Sequence, residues 1–167
     1  MRFATMILAC GVLTAATAAC SAGASAQSDA RKLAATLSGE DKGGASRSPQ
    51  CQIFTPADLS KILGVPFERG RDAAMGGVSC QWLARSADGY AMVIVVDGHD
   101  YEAHTKAPGF KTISGIGTRA FVENENGWSA GALVGSQAFL AEFKGPGESE
   151  AKAIALLKEL IKRKAAK

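Results

Sequence analysis

The middle of the chain alternates apolar and polar positions in short segments, which is the pattern of antiparallel strands. Residues 78–82 alternate with Cys80 on one face, and residues 90–96 form a nearly continuous run of apolar, mostly β-branched side chains. Asp88 and Gly89 between these segments predict a two-residue hairpin turn. A continuous apolar run is typical of a central strand covered on both faces, so residues 90–96 are predicted to form such a strand.

A second group of strands follows further along the chain. Residues 119–123, 128–134 and 137–143 have strand-like patterns, and they are separated by turn-forming pairs at residues 126–127 and 135–136. Two further hairpins are therefore expected.

Helix signals lie on both sides of these strands. Thr55 suits an N-cap, Pro56 suits the first helical position, and Gly64 suits the left-handed residue at the end of the helix. Residues 149–164 carry an amphipathic pattern, with Ile154, Leu157 and Ile161 along one stripe. The sequence therefore predicts an α+β fold, in which an N-terminal helix and a C-terminal amphipathic helix pack on one face of an antiparallel sheet of five or six strands.

Length and composition fit a single folded domain behind a leader. The chain has 167 residues, of which 47% are hydrophobic and 21% are charged. This composition lies far from that of disordered chains. We predict a signal segment at residues 1–26, a flexible tether rich in Ala, Ser and Gly at residues 27–50, and one α+β domain at residues 51–164.

The leader has the layout of a secretory signal. Arg2 precedes a segment without charge at residues 3–19, and this segment weakens into small residues too early for a membrane-spanning helix. Two processing sites compete. Residues 24–26 match the small-x-small rule for cleavage, whereas Cys20 ends a lipobox-like sequence that has Thr17 at a position where Leu is usual. Cys20 is accordingly a candidate for lipidation, and both alternatives stay open.

Cysteine usage agrees with export. Cys10 and Cys20 lie in or at the end of the predicted signal, which leaves Cys51 and Cys80 in the folded part. In an oxidising compartment two such cysteines are most simply a disulfide. Closing a loop of this length is expected to stabilise the fold by about 3 to 4 kcal/mol.

The two histidines stand close together in a segment that also contains carboxylates. His99 and His104 are accompanied by Asp97, Asp100 and Glu102, a composition that suits zinc or copper. Five residues separate the imidazoles, so they would diverge on a helix, unlike the i, i+4 pair of a metalloprotease. A solvated turn after the strand is the simpler interpretation, and the sequence assigns no metal ligands and no cofactor.

Signals for catalysis are weak. Gly115 and Gly117 form a Gly-x-Gly, but a strand pattern follows them, so a turn between strands is favoured over a phosphate cradle. Residues 127–131 match the Gly-x-Ser-x-Gly spacing, but a strand pattern follows the glycine where a nucleophile elbow needs a helix. The two cysteines outside the leader are assigned to the disulfide. The sequence therefore predicts a protein that is not an enzyme, with no catalytic residue.

The positive charge is concentrated at the C-terminus. Residues 151–167 contain six Lys and Arg against one Glu, whereas residues 20–150 are slightly acidic. Such a helix end complements the helix dipole, or it contacts an anionic surface such as membrane lipid. Nucleic acid is not an expected partner, because export and the lack of interleaved aromatic residues argue against it.

Several of these features together resemble a known group of proteins. They are Cys51, the helix from Thr55 to Gly64, Cys80-Gln81-Trp82, the turn and strand at residues 115–121, and the C-terminal amphipathic helix. The pattern is similar to that of small uncharacterised lipoprotein domains of bacteria, best represented in actinobacteria. The resemblance implies an exported α+β domain with a disulfide, and it transfers no catalytic residue.

The function expected from these observations is that of an extracytoplasmic module, either periplasmic or secreted, or anchored to the membrane. We expect it to bind an envelope component or a partner protein without catalysis. The alternative hypothesis is a metal-binding or hydrolytic periplasmic protein that uses the segment from His99 to His104.

Overall fold

A computed structural model describes residues 48–73, 75–85 and 88–166 of the chain. The predicted signal at residues 1–26, Cys20 and nearly all of the predicted tether lie outside the described residues. The last tether positions do not behave as a flexible linker, because Ser48 and Gln50 are buried. Gln50 belongs to a 3-10 turn at Pro49–Gln52 that leads directly into the fold.

The described residues form an open antiparallel sheet of six strands and two α-helices, which confirms the α+β class and the antiparallel sheet. The strands are β1 (Ser79–Leu83), β2 (Tyr90–Asp97), β3 (Lys111–Thr112), β4 (Thr118–Asn124), β5 (Trp128–Val134) and β6 (Gln137–Lys144). Their order in the sheet is β1-β2-β6-β5-β4-β3. The last four strands form a meander, and β2 joins it by pairing with β6 along its whole length.

Helix α1 spans Pro56–Leu63 and is capped at both ends. The Thr55 hydroxyl accepts a hydrogen bond from the Asp58 backbone N–H, and the Asp58 carboxylate accepts one from the Thr55 N–H at 2.8 Å. This reciprocal box satisfies N–H groups that have no partner within the helix. Gly64, with a φ of 80°, ends the helix in the left-handed conformation that glycine adopts without strain.

Helix α2 spans Glu150–Ala165, with Ser149 as its N-cap. Its fully buried side chains are Ala153, Leu156, Leu157 and Leu160, whereas Ile154 and Ile161 are only partly buried. The buried stripe is thus rotated from the one predicted on Ile154, Leu157 and Ile161. These buried residues join α1 and the inward-facing strand residues in the main core, around Trp82 and Phe143.

Strand β2 differs from its prediction. Ala91, Val93 and Val95 are buried against the helices, but Met92 and Ile94 on the opposite face are partly exposed. The strand is therefore internal within the sheet, yet it is fully covered on one face only. We call the face that carries the helices the inner face and the opposite one the outer face.

The connection before β2 also differs from the predicted two-residue hairpin. Strand β1 ends at Leu83 and β2 begins at Tyr90, so residues 84–89 connect them. The Ala84 N–H donates to the Gly89 carbonyl at 2.9 Å and closes this longer loop. Asp88 and Gly89 do lie in the connection between the two strands, but this connection is longer than the two-residue turn that their residue types predict.

Candidate functional site

The loop after β2 covers the β4–β5 part of the outer face. Tyr101 and Phe110 both pack on Phe121 of β4, with ring centroids 5.9 Å away in each case. The Tyr101 hydroxyl donates to the Arg119 carbonyl at 2.7 Å, and the Asn124 N–H donates to the Pro108 carbonyl at 2.7 Å. The loop is thus fixed to the sheet on both sides of His104.

His104 faces two carboxylates from β4 and the residue after it. Its Nδ1 lies 3.6 Å from Oε1 of Glu123 and 3.5 Å from Oε2 of Glu125. Glu123 and Glu125 are two positions apart, and side chains with this spacing in extended chain point the same way. The ligand-type atoms of the three residues all lie within 4.8 Å of one another.

Glu123 is an unusual carboxylate because it is buried. Its residue is 6% exposed, and its Oε2 has no hydrogen-bond partner among the described residues. Burial raises the pKa of Glu123, while His104 works in the opposite direction and Glu125 adds to the rise. His104 and Glu125 are exposed, so the cluster reaches from the interior to solvent.

A groove of about 450 Å³ opens beside this cluster. Residues 103–108 form its wall together with Glu125. The imidazole of His104 therefore lies at the edge of a space that is large enough for a small ligand or several water molecules.

His99 does not take part in this cluster. Its Nδ1 lies 2.7 Å from Oδ1 of Asp97, and both side chains are mostly exposed. Among the described side chains, those close enough to share a cation are His104, Glu123 and Glu125. His99, Asp97 and Glu102 are not among them. The two histidines, which the sequence places in one candidate segment, thus have separate partners in the structure. The carboxylates beside His104 come from a different part of the chain.

The Gly115–Gly117 segment lies in the connection between β3 and β4, where both glycines have positive φ. Strand β4 follows at once, as expected for a turn.

A partly exposed apolar surface lies on the other half of the outer face. It consists of Leu83, Tyr90, Met92, Ile94 and Leu140, and we call it the outer strip. Leu83, Met92 and Ile94 belong to neither packed cluster formed by the described residues. The register brings Ile94 opposite Leu140 and Leu83 opposite Tyr90, so the strip is continuous across β1, β2 and β6.

Polar groups border the outer strip. Gln81 and Glu142 stand on either side of Met92 in the strand register. The Tyr90 hydroxyl donates a hydrogen bond to the Glu142 carboxylate. Burial raises the pKa of both groups.

Two of the cationic side chains of α2 make contacts within the domain. The Arg163 guanidinium binds Asp58 of α1 and Glu159 of its own helix, and it lies over the Phe54 ring at 4.8 Å. The Lys152 ammonium lies over the Phe143 ring at 5.4 Å. The hydrogen bonds from Arg163, and after them those from Thr55, lower the pKa of Asp58 far below its ordinary value.

Cys51 and Cys80 are placed for a disulfide. Their Cα atoms are 5.1 Å apart, which is within the range for this bond. The pair connects the 3-10 turn before α1 to β1.

Within the described residues, no helix has the length and apolar character needed to span a membrane. No protein-family model matches the chain, and searches of curated proteins and of solved structures returned no match.

Sequence reasoning missed Glu123 and Glu125 as neighbours of His104, because they lie about twenty positions away and join it only through the folding of the loop onto β4. One signal was present. Glu123 is a carboxylate on the same strand face as Phe121, in a strand whose central residues are otherwise apolar, and a charge at such a position calls for a partner.

Proposed function

We propose that this protein is an exported, non-catalytic binding module of the bacterial cell envelope, and that the outer strip is its contact surface for a partner protein. The observation that carries the proposal is the one-sided burial of β2. Met92 and Ile94 are large apolar side chains at the middle of an internal strand, and they remain partly exposed. Water contact at such positions has a free-energy cost that a partner would remove.

The composition of the strip favours a protein partner over a lipid surface. Its centre is aliphatic, and its border carries Gln81, Glu142 and Lys144 beside the hydroxyl of Tyr90. An apolar centre with a polar rim is the usual arrangement of protein–protein interfaces, in which Tyr and Met are enriched. Anionic lipid attracts clusters of lysine and arginine, whereas Lys144 at this border, opposite Tyr90, interacts with the carboxylate of Glu142.

Two features support an extracytoplasmic location. The leader has the pattern of a secretory signal, and Cys51 and Cys80 are close enough for a bond that persists only in oxidising compartments. Lipidation of Cys20 would place the module at a membrane, and the exposed lysines of α2 would add attraction to anionic lipid. Fractionation and N-terminal sequencing of the exported chain distinguish a lipidated Cys20 from cleavage before Gln27.

The test changes the centre of the strip. The variants Met92→Lys and Ile94→Lys place a charge where an interface would have to remove its water, so partner affinity should fall about tenfold or more. Met75→Lys is the matched control, because Met75 is 46% exposed and lies outside the strip. The measurement is chemical cross-linking in intact cells, followed by quantification of each cross-linked protein by mass spectrometry.

We expect one partner to be cross-linked by the parent chain and by Met75→Lys, and to be lost from both strip variants while their melting temperatures show a folded protein. Equal capture of the same partner by all four proteins would contradict the proposed contact surface. Capture of no protein above background by the parent chain would contradict the proposed function itself.

A further inference from the structure

The cluster around His104 has a different chemistry from the outer strip, and it does not depend on the proposed function. We propose that His104, Glu123 and Glu125 bind a single divalent transition-metal ion, best matched by zinc. Because five residues separate His99 from His104 and a solvated turn is the simpler interpretation, the sequence assigned no metal ligand. The fold brings to His104 two carboxylates from outside its own segment.

The spacing of the ligand atoms fits a metal better than a hydrogen bond. Nδ1 of His104 lies 3.5 and 3.6 Å from the two carboxylate oxygens, which is beyond the range of an N–H···O hydrogen bond. Ligand atoms of a tetrahedral zinc site, with bonds of about 2.0 to 2.2 Å, are separated by about 3.4 Å. An ion placed between these atoms would therefore reach all three with only small side-chain adjustments.

The state of Glu123 provides a second and independent observation. Its side chain is 8% exposed and directs Oε1 toward His104, while Oε2 has no hydrogen-bond partner among the described residues. A buried carboxylate without full partners is costly unless a cation or donors compensate it. Burial also raises its pKa, and a bound divalent ion would reverse that shift.

The backbone around the site is held in place. Tyr101 and Phe110 attach the two sides of the loop to Phe121, and the Ala107 N–H donates to the His104 carbonyl at 2.8 Å. Glu123 lies in strand β4. A site built on a strand and a fixed loop loses little conformational entropy when an ion binds.

The ligand set favours zinc over hard cations. One imidazole and two carboxylates provide three ligands, whereas calcium prefers six to eight oxygens and magnesium retains most of its water. The exposed side of the cluster faces the groove along residues 103–108. A fourth ligand, either water or a group from outside the chain, would enter from there.

The test is isothermal titration of the purified chain with ZnCl₂ in metal-free buffer. We expect one equivalent to bind, and we expect His104→Ala, Glu125→Gln and Glu123→Gln each to weaken binding by at least about tenfold. His99→Ala is the matched control, since it removes the other exposed imidazole and should leave the affinity unchanged. Affinity should fall as the pH is lowered, because protons compete for the ligands.

A second readout is the visible spectrum with CoCl₂, in which four-coordinate Co²⁺ absorbs strongly and six-coordinate Co²⁺ weakly. Strong absorption that is lost in His104→Ala supports the site. His104→Ala and Glu125→Gln change exposed side chains and should leave the fold intact. They therefore still test the site if Glu123→Gln fails to fold. The absence of saturable Zn²⁺ binding, or equal weakening by His99→Ala and His104→Ala, would overturn the proposal.

Discussion

Replacing Arg163 with methionine should weaken the attachment of α2 to α1 and leave the sheet folded. The Arg163 guanidinium donates to both carboxylate oxygens of Asp58 at 2.9 and 3.1 Å and to the Ile53 carbonyl at 3.0 Å. It also pairs with Glu159 on α2 and lies over the Phe54 ring. Arg163→Met keeps much of the aliphatic stem and removes every one of these polar contacts.

The expected cost follows from the partial burial of this network. Hydrogen bonds to charged groups contribute about 1.5 to 3 kcal/mol when buried, and exposed ion pairs contribute about 0 to 1 kcal/mol. The Arg163 and Asp58 side chains are 30% and 31% exposed, which places them between these limits. We therefore expect Arg163→Met to lower the free energy of unfolding by about 2 kcal/mol.

The stability difference between the parent chain and Arg163→Met should change with pH in a defined direction. The hydrogen bonds from Arg163 and Thr55 lower the pKa of Asp58 from its ordinary value of 3.8. A lowered carboxyl pKa stabilises the fold above the unfolded-state value, and this contribution is lost as the pH falls below it. The difference between the parent chain and Arg163→Met should stay constant near neutral pH and narrow below about pH 4.

Urea unfolding followed by circular dichroism measures both quantities. Lys162→Met is the control, since it removes a neighbouring cation that is 77% exposed and should change stability by less than about 0.5 kcal/mol. Equal losses for Arg163→Met and Lys162→Met, or a gap that widens in acid, would refute the assignment of Arg163 as the link between the helices.

Two further changes test other parts of the fold. The double variant Cys51→Ala, Cys80→Ala should lower the free energy of unfolding in urea by about 3 to 4 kcal/mol. A reducing agent should destabilise the parent chain and leave the double variant unchanged. Equal stability of the two proteins would contradict the disulfide. Gly117→Ala should cost about 2 kcal/mol or more, because φ is 53° and a Cβ would collide with the Leu133 carbonyl oxygen. Gly135→Ala, at φ 60° with open space around it, should cost only about 1 kcal/mol, and equal effects would show that the collision is absent.

Local chemistry made much of the secondary structure predictable. The cap at Thr55 and the glycine at position 64 bound α1 as observed, and the turn pairs at residues 126–127 and 135–136 separate β4, β5 and β6. These signals act over two to four residues, so a sequence displays them directly. The pairing of β2 with β6 has no such signal, because it joins segments that are distant along the chain.

Burial was harder to predict than secondary structure. The apolar run at residues 90–96 indicates a strand, but β-branched residues favour strands whether one face or both are covered. Only the fold shows that Met92 and Ile94 face away from the helices. The same limit applies to His104, whose carboxylate neighbours come from β4 and not from its own segment.

The most direct test of the proposed function is a photo-reactive amino acid placed at position 94 within the outer strip, in cells that export the protein. The proposal predicts that irradiation links position 94 to a defined peptide of one envelope protein, while the same group at position 75 gives no such link. Adducts of the same identity and yield from both positions, or none from position 94 when the protein is exported and folded, would contradict it.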